Sequence, residues 1–199
     1  MLNYMIRDIK IQKNYLYLLP LLILFLMYME TPINVVLAVA MVYIPVNAVY
    51  LLAKSNINHF DLTLPYARKD IVNYRYMSTL LYAIVGGTVV ALILKAIGFD
   101  VSLLDLEFAL QSTLWLSVVF FPLSFALTTE KALLISVYVV FSLFMIQTVF
   151  LGYAVENVQQ LAKADNPFTL MIHIGFVLAC VLFVVSWLLS LFIIKRKDI

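Results

Sequence analysis

The chain has 199 residues, 65% of them hydrophobic and 12% charged, with a formal net charge of +2 and a mean hydropathy of +1.05. A soluble domain carries about 45–50% apolar and about 25% charged residues, so this composition excludes a soluble fold and specifies an integral membrane protein. Cys180 is the single cysteine, which rules out an internal disulfide.

In chain order, the first residues are not a signal peptide, because Arg7, Asp8, Lys10 and Lys13 interrupt any apolar core. Leu2, Met5, Ile6 and Ile9 instead share one helical face, with Asn3, Arg7 and Lys10 elsewhere. That pattern predicts a helix over 1–14 lying in the inner headgroup region. Six apolar blocks follow, at 15–29, 33–53, 71–97, 109–127, 132–153 and 169–194. Each is near the ~20 residues that cross about 30 Å of hydrocarbon. The first is short and holds Pro20, which fits a tilted or partly unwound entry. Pro45 and Pro122 predict kinks in the second and fourth blocks. The third opens with Asn73, Arg75 and Ser78, so its membrane part is expected to begin near Met77. Gly98 can end that helix, and Ser102 with Asp105 resembles a cap for the next. Val155, Val158, Leu161 and Ala162 recur at helical spacing against Glu156, Gln159, Gln160 and Lys163. A short outer helix within 154–168, ended by the Asn166–Pro167 turn, is the expectation. No block alternates with the dyad period of a membrane barrel.

Charge orients the blocks. Arg7, Lys10, Lys13, Lys54, Arg68, Lys69, Arg75, Lys131, Lys195, Arg196 and Lys197 fall on one set of loops and ends. The alternate loops hold Glu30, Asp100, Asp105, Glu107, Glu156 and Asp165, with Lys95 and Lys163 as their basic residues. The positive-inside rule then gives six transmembrane helices with both termini cytoplasmic. The expected fold is a single all-α integral membrane domain over 1–199, in a bacterial cytoplasmic membrane.

Several chemistries lack their residues. No G-x-x-x-x-G-K-[ST] loop occurs, and Gly86–Gly87 lies inside a block with no lysine in place. His59 and His173 are expected on opposite sides of the bilayer, so they cannot share a metal. No acid or base falls near a block centre, where charge marks ion coupling. An intramembrane enzyme and an ion-driven carrier are disfavoured together. Asn47, Ser117, Ser124, Ser136, Ser142, Gln147 and Thr148 are uncharged polar residues inside blocks. Interhelical hydrogen bonds account for such groups; the functional alternative is a weakly polar path through Asn47, Gln147, Thr148 and Ser124. Ala83, Gly87 and Ala91 form a small-residue row suited to close packing within the chain. Tyr15, Tyr17, Tyr28, Tyr50, Tyr76 and Tyr153 sit near block ends, as an interfacial aromatic belt requires.

The segment 54–70 is long for a link between adjacent helices, where about 2–8 residues is usual. It carries His59, Phe60, Leu62, Leu64 and Tyr66, bulky side chains that topology alone does not need. Docking onto a cytosolic protein is the reading that uses them; the alternative is a folded cap that only packs against the inner helix ends. The stretch LPYARKDIVNYRYMS, Leu64–Ser78, resembles the segment entering the third span of small ABC-2 type permeases, the membrane subunits of bacterial ATP-driven exporters. Elsewhere the likeness is one of layout, closest to the compact permeases of peptide and antibiotic export, such as the phenol-soluble-modulin exporters.

That resemblance implies two separate ATP-binding subunits, a second permease, identical or sister, and a path at the permease dimer interface. ATP and Mg would be bound in the partner ATPase, with no cofactor in this chain, no metal site and no nucleic acid partner. Asn58, His59, Phe60, Asp61 and Leu62 would form the coupling helix. Leu64, Pro65, Arg68, Lys69 and Asp70 would brace it to the third span. Phe60 and Leu62 would supply buried contact, and Asp61, Arg68 and Lys69 polar contact. An apolar interior suits an amphipathic or hydrophobic peptide, an antibiotic or a lipid-like substrate. The competing reading is a non-transporting scaffold or sensor that docks a cytosolic regulator through 54–70.

Overall fold

A computed structural model describes residues 2–54, 67–127, 130–139 and 167–196, and every regular element among them is helical. They are α1 (Leu2–Leu16), α2 (Leu18–Tyr28), α3 (Ile33–Lys54), α4 (Ala67–Ala96), α5 (Leu103–Ala126), α6 (130–139) and α7 (Pro167–Arg196). Among the described residues, four stretches are long and apolar enough to cross a membrane: Ile33–Leu51, Lys69–Ala96, Leu103–Ala126 and Ile172–Arg196. They answer to the second, third, fourth and sixth expected blocks. Of the fifth, residues 132–139 are helical. The expected coupling helix, the remainder of the fifth block and the outer helix up to residue 166 lie outside the described residues.

The first expected block is α2, whose 11 residues give about 16 Å of helix, too short to cross alone. It is joined to α1 at a bend of 65°. The break falls at Tyr17, and Pro20 sits in the first turn of α2, where its missing N–H leaves no bond unmade. The helix before it runs to Leu16, beyond the expected limit at residue 14.

Local signals in the sequence set the boundaries of α4 and α5. Gly98 adopts φ +102°, its N–H donating to Lys95 O at 3.0 Å while that of Phe99 donates to Leu94 O at 3.0 Å. This is a Schellman stop, and the left-handed backbone favours glycine there. Ser102 and Asp105 form a reciprocal capping box at the start of α5, with Asp105 N–H on Ser102 Oγ and Ser102 N–H on Asp105 Oδ2.

Packing inverts the soluble pattern. Along α7 the buried stripe is Ile172, Gly175, Ala179, Phe183, Ser186, Ser190 and Ile194, each three or four residues from the last. Its outward face is Ile174, Val177, Val181, Val184, Leu188 and Phe192. Lipid is as apolar as leucine, so small and polar groups such as Gly175, Ala179, Ser186 and Ser190 can share the inward face with Ile172, Phe183 and Ile194. α5 packs along α7 and α3, and α4 along α3. Ala83 and Ala91 are buried beside Leu37, Ala40 and Met41, so the small-residue row serves contact within the chain. At Gly87 an added Cβ would lie 2.9 Å from Met41 Cγ and 3.0 Å from its Sδ, and would overlap the terminal methyl. Gly87 is thus the point where the Met41 side chain of α3 lies against α4.

Two expectations are corrected. Among the described residues Ser117, Ser124 and Ser136 bond within their own helices, each hydroxyl donating to a carbonyl, that of Thr113, Phe121 and Ala132 respectively. A hydroxyl three or four residues along can satisfy itself this way without a neighbour. Tyr76 is not part of an aromatic belt. It is 3% exposed, its ring tilted against Phe121 at 4.8 Å and edge-on to Phe183 at 5.0 Å. By contrast Tyr15, Tyr17 and Tyr28 are exposed, as a belt requires. α3 and α5 run on through Pro45 and Pro122 as single helices.

Candidate functional site

At the base of α4, Asn73, Tyr74 and Tyr76 grip neighbouring helices in different directions. Tyr76 Oη is shared with Ser186 Oγ at 2.7 Å and Ser190 Oγ at 2.8 Å, both on α7. Ser186 Oγ also donates to Val118 O at 2.8 Å, which brings α5 into the same network. Asn73 Oδ1 accepts from Trp187 Nε1 at 2.9 Å. On the other side Tyr74 Oη donates to Asp8 Oδ2 of α1 at 2.5 Å. A helix position turns about 100° per residue, so successive residues reach different helices. The result is a polar collar around the foot of α4, two turns beyond the segment 55–66.

Asp8 is 2% exposed and Gln12 1% exposed, so the buried edge of α1 is polar, while Ile6 and Ile9 face outward. Arg7 Nε stands 3.7 Å from Asp8 Oδ1. α1 lies outside the four spans, and burial pushes the Asp8 carboxyl up from its ordinary value. The Tyr74 hydroxyl and the Arg75 and Arg7 guanidiniums pull the other way. Neither Asp8 nor Tyr74 stands out in the sequence. The one available signal is an acid and a glutamine one turn apart, Asp8 and Gln12.

Of the coupling residues expected from sequence, Asn58, His59, Phe60, Asp61, Leu62, Leu64 and Pro65 lie outside the described residues. Arg68, Lys69 and Asp70 fall in the first turn of α4, where Lys69 and Asp70 are exposed. They precede the collar residues Asn73, Tyr74 and Tyr76 along the same helix.

A second feature is a cavity of about 600 Å³ between α3, α5 and α6. Val39, Val42, Val46, Leu116, Leu133 and Val137 line it, with Tyr43, Asn47, Tyr50 and Ser112 as its polar points. The size and the sparse polar lining fall within the range of sites for small apolar ligands. Asn47 Nδ2 is buried there with no hydrogen-bond partner among the described residues. Ser112 Oγ donates to Phe108 O, and Tyr43 Oη donates to Tyr15 O. Of the expected path residues, Asn47 lines this cavity and Ser124 does not; Gln147 and Thr148 lie outside the described residues. At the opposite end, His173 Nδ1 lies 2.7 Å from Glu107 Oε1 and ties α7 to α5. No group of three metal-ligating side chains occurs among the described residues.

A family model described as an ABC-2 family transporter protein matches residues 3–195. No curated protein matches the chain, and no solved structure does. A match over nearly the whole length, on an all-helical chain with membrane-crossing helices, places this protein in the ABC-2 transporter family, as the membrane component of an ABC transporter.

Proposed function

We propose that this chain is the permease subunit of an ATP-driven exporter in a bacterial cytoplasmic membrane, with six spans and both termini on the cytoplasmic side. Two ATP-binding subunits, holding ATP and Mg, would seat against Asn58–Leu62. The observation that carries this reading is the collar at the foot of α4. A segment that receives force must be fixed to something stiff, and Asn73, Tyr74 and Tyr76 fix the start of α4 to α1, α5 and α7. A push on 54–70 would then reach several helices at once.

A second permease would complete the path, and the cavity beside Asn47 offers an apolar surface with one unused donor on that route. Amphipathic or hydrophobic peptides, antibiotics and lipid-like molecules suit such a lining, whereas sugars and ions would lose their hydration there. Affinity purification from native membranes in mild detergent tests the reading. Recovery of a small ATPase with the wild-type chain is expected, and its loss with Phe60→Asp and Leu62→Asp. A purified complex without ATPase, or one whose ATP hydrolysis ignores both substitutions, would overturn it.

A further inference from the structure

α1 packs along α3 and reaches α4 through the carboxylate of Asp8, which accepts from Tyr74 Oη. The bond passes over the weakest point of α3. Pro45 has no N–H, so the carbonyl of Met41 loses its partner within the helix and the turn is less firmly held. Pro45, Ala48 and Val49 of α3 wall a cavity of about 10 Å³ that Asp8, Tyr74, Arg75, Ser78 and Thr79 close. That space is about what one ordered water needs, given polar partners. Partners are present. Asp8 Oδ1, in that lining, is buried without a hydrogen bond among the described residues. Tyr74 itself stands seven residues into α4, about 10 Å along its axis from the segment 55–66.

We propose that Asp8 and Tyr74 are positioning residues, a clasp over Pro45 that makes the surface helix α1 move as one piece with the base of α4. The inference rests on reading 54–70 as the segment the ATPase moves. Displacing that segment turns the foot of α4, and the clasp carries α1 along the membrane surface with it. Without the clasp, α1 stays seated on α3 while α4 moves alone. The bond needs an acceptor at residue 8 and a donor at residue 74. Asp8→Asn keeps the acceptor, whereas Asp8→Ala and Tyr74→Phe each remove one side.

Two measurements on the full chain in lipid nanodiscs decide this. In hydrogen–deuterium exchange, Tyr74→Phe and Asp8→Ala are expected to speed exchange of the α1 amides by about tenfold, with α4, α5 and α7 unchanged and Asp8→Asn close to wild type. In the second, spin labels on Ile9 and Leu189, both exposed, report the distance from α1 to α7 on a Cys180→Ala background. With the co-purified ATPase trapped by ATP and vanadate, that distance is expected to shift in the wild type and Asp8→Asn, but not in Tyr74→Phe. Exchange in α1 unchanged by Tyr74→Phe and Asp8→Ala would overturn the clasp, and so would a shift that survives Tyr74→Phe. If the wild-type chain recovers no ATPase, the exporter reading fails. The exchange measurement then still decides whether α1 is held by this bond.

Discussion

Gly87→Ala is the sharpest test of how α3 and α4 meet. The new Cβ would overlap the Met41 methyl and lie 2.9 Å and 3.0 Å from its Cγ and Sδ. Met41 is 3% exposed within a buried cluster, so its side chain must shift among packed neighbours to admit the methyl. Overpacking of this kind costs about 1–3 kcal/mol, and alanine returns about 1 kcal/mol of helix propensity over glycine. The net loss is about 1 kcal/mol. Gly86→Ala supplies the control, since its Cβ would meet only Ile44 Cδ1, at 3.1 Å, and a small adjustment relieves it. Met41→Ala alone should cost about 2–5 kcal/mol as a cavity. In the double variant the methyl introduced at position 87 enters that cavity, so the two losses should fall short of their sum by about 1 kcal/mol. Reversible unfolding in mixed dodecyl sulfate micelles, followed by Trp115 and Trp187 fluorescence, measures all these proteins. A Gly87→Ala chain as stable as wild type, with no coupling to Met41, would mean that α3 and α4 do not approach closely in the bilayer.

Tyr76→Phe keeps the ring contacts and removes the hydroxyl that holds Ser186 and Ser190. At about 0.6 kcal/mol per contact in a membrane, a loss of about 1 kcal/mol is expected in the same unfolding assay, largely absent when both serines are already alanine. Asp8 carries a pH signature. Its folded carboxyl is raised by burial, so the folded chain holds that proton more tightly than the unfolded one. This contribution is fully present below the unfolded value of about 3.9 and is lost as pH rises through the folded value. Stability of the wild type relative to Asp8→Asn should therefore fall across that window, as read from paired unfolding curves. A flat difference would place the carboxyl in contact with water.

Much of the helical layout was legible because its signals are local. Gly98 ends α4 by the one backbone conformation that a side chain disfavours. Ser102 and Asp105 start α5 by satisfying each other's backbone. Pro20 anticipated trouble in the first block, and the break came at Tyr17, just ahead of it. The direction in which polar side chains face was far less legible. Ser117, Ser124 and Ser136 read as interhelical groups and proved to bond their own helices. Tyr76, taken for a belt residue, is a junction of three helices. Asp8 and Gln12 lay among cations and isoleucines and gave no sign of which edge of α1 would be covered.

The sequence by itself determined that the chain lives in a membrane, where several of its helices begin and end, and which segment is too polar for lipid. Composition, caps and charge act over a few residues or over the whole chain, and neither scale needs a fold. The tertiary structure alone decided which faces meet. In lipid the buried and exposed sides of a helix are nearly equal in hydropathy, so periodicity loses the contrast that marks a soluble core. What separates the two sides is contact: Gly87 admitting Met41, Tyr76 between two serines, and Asp8 reaching over Pro45 to Tyr74.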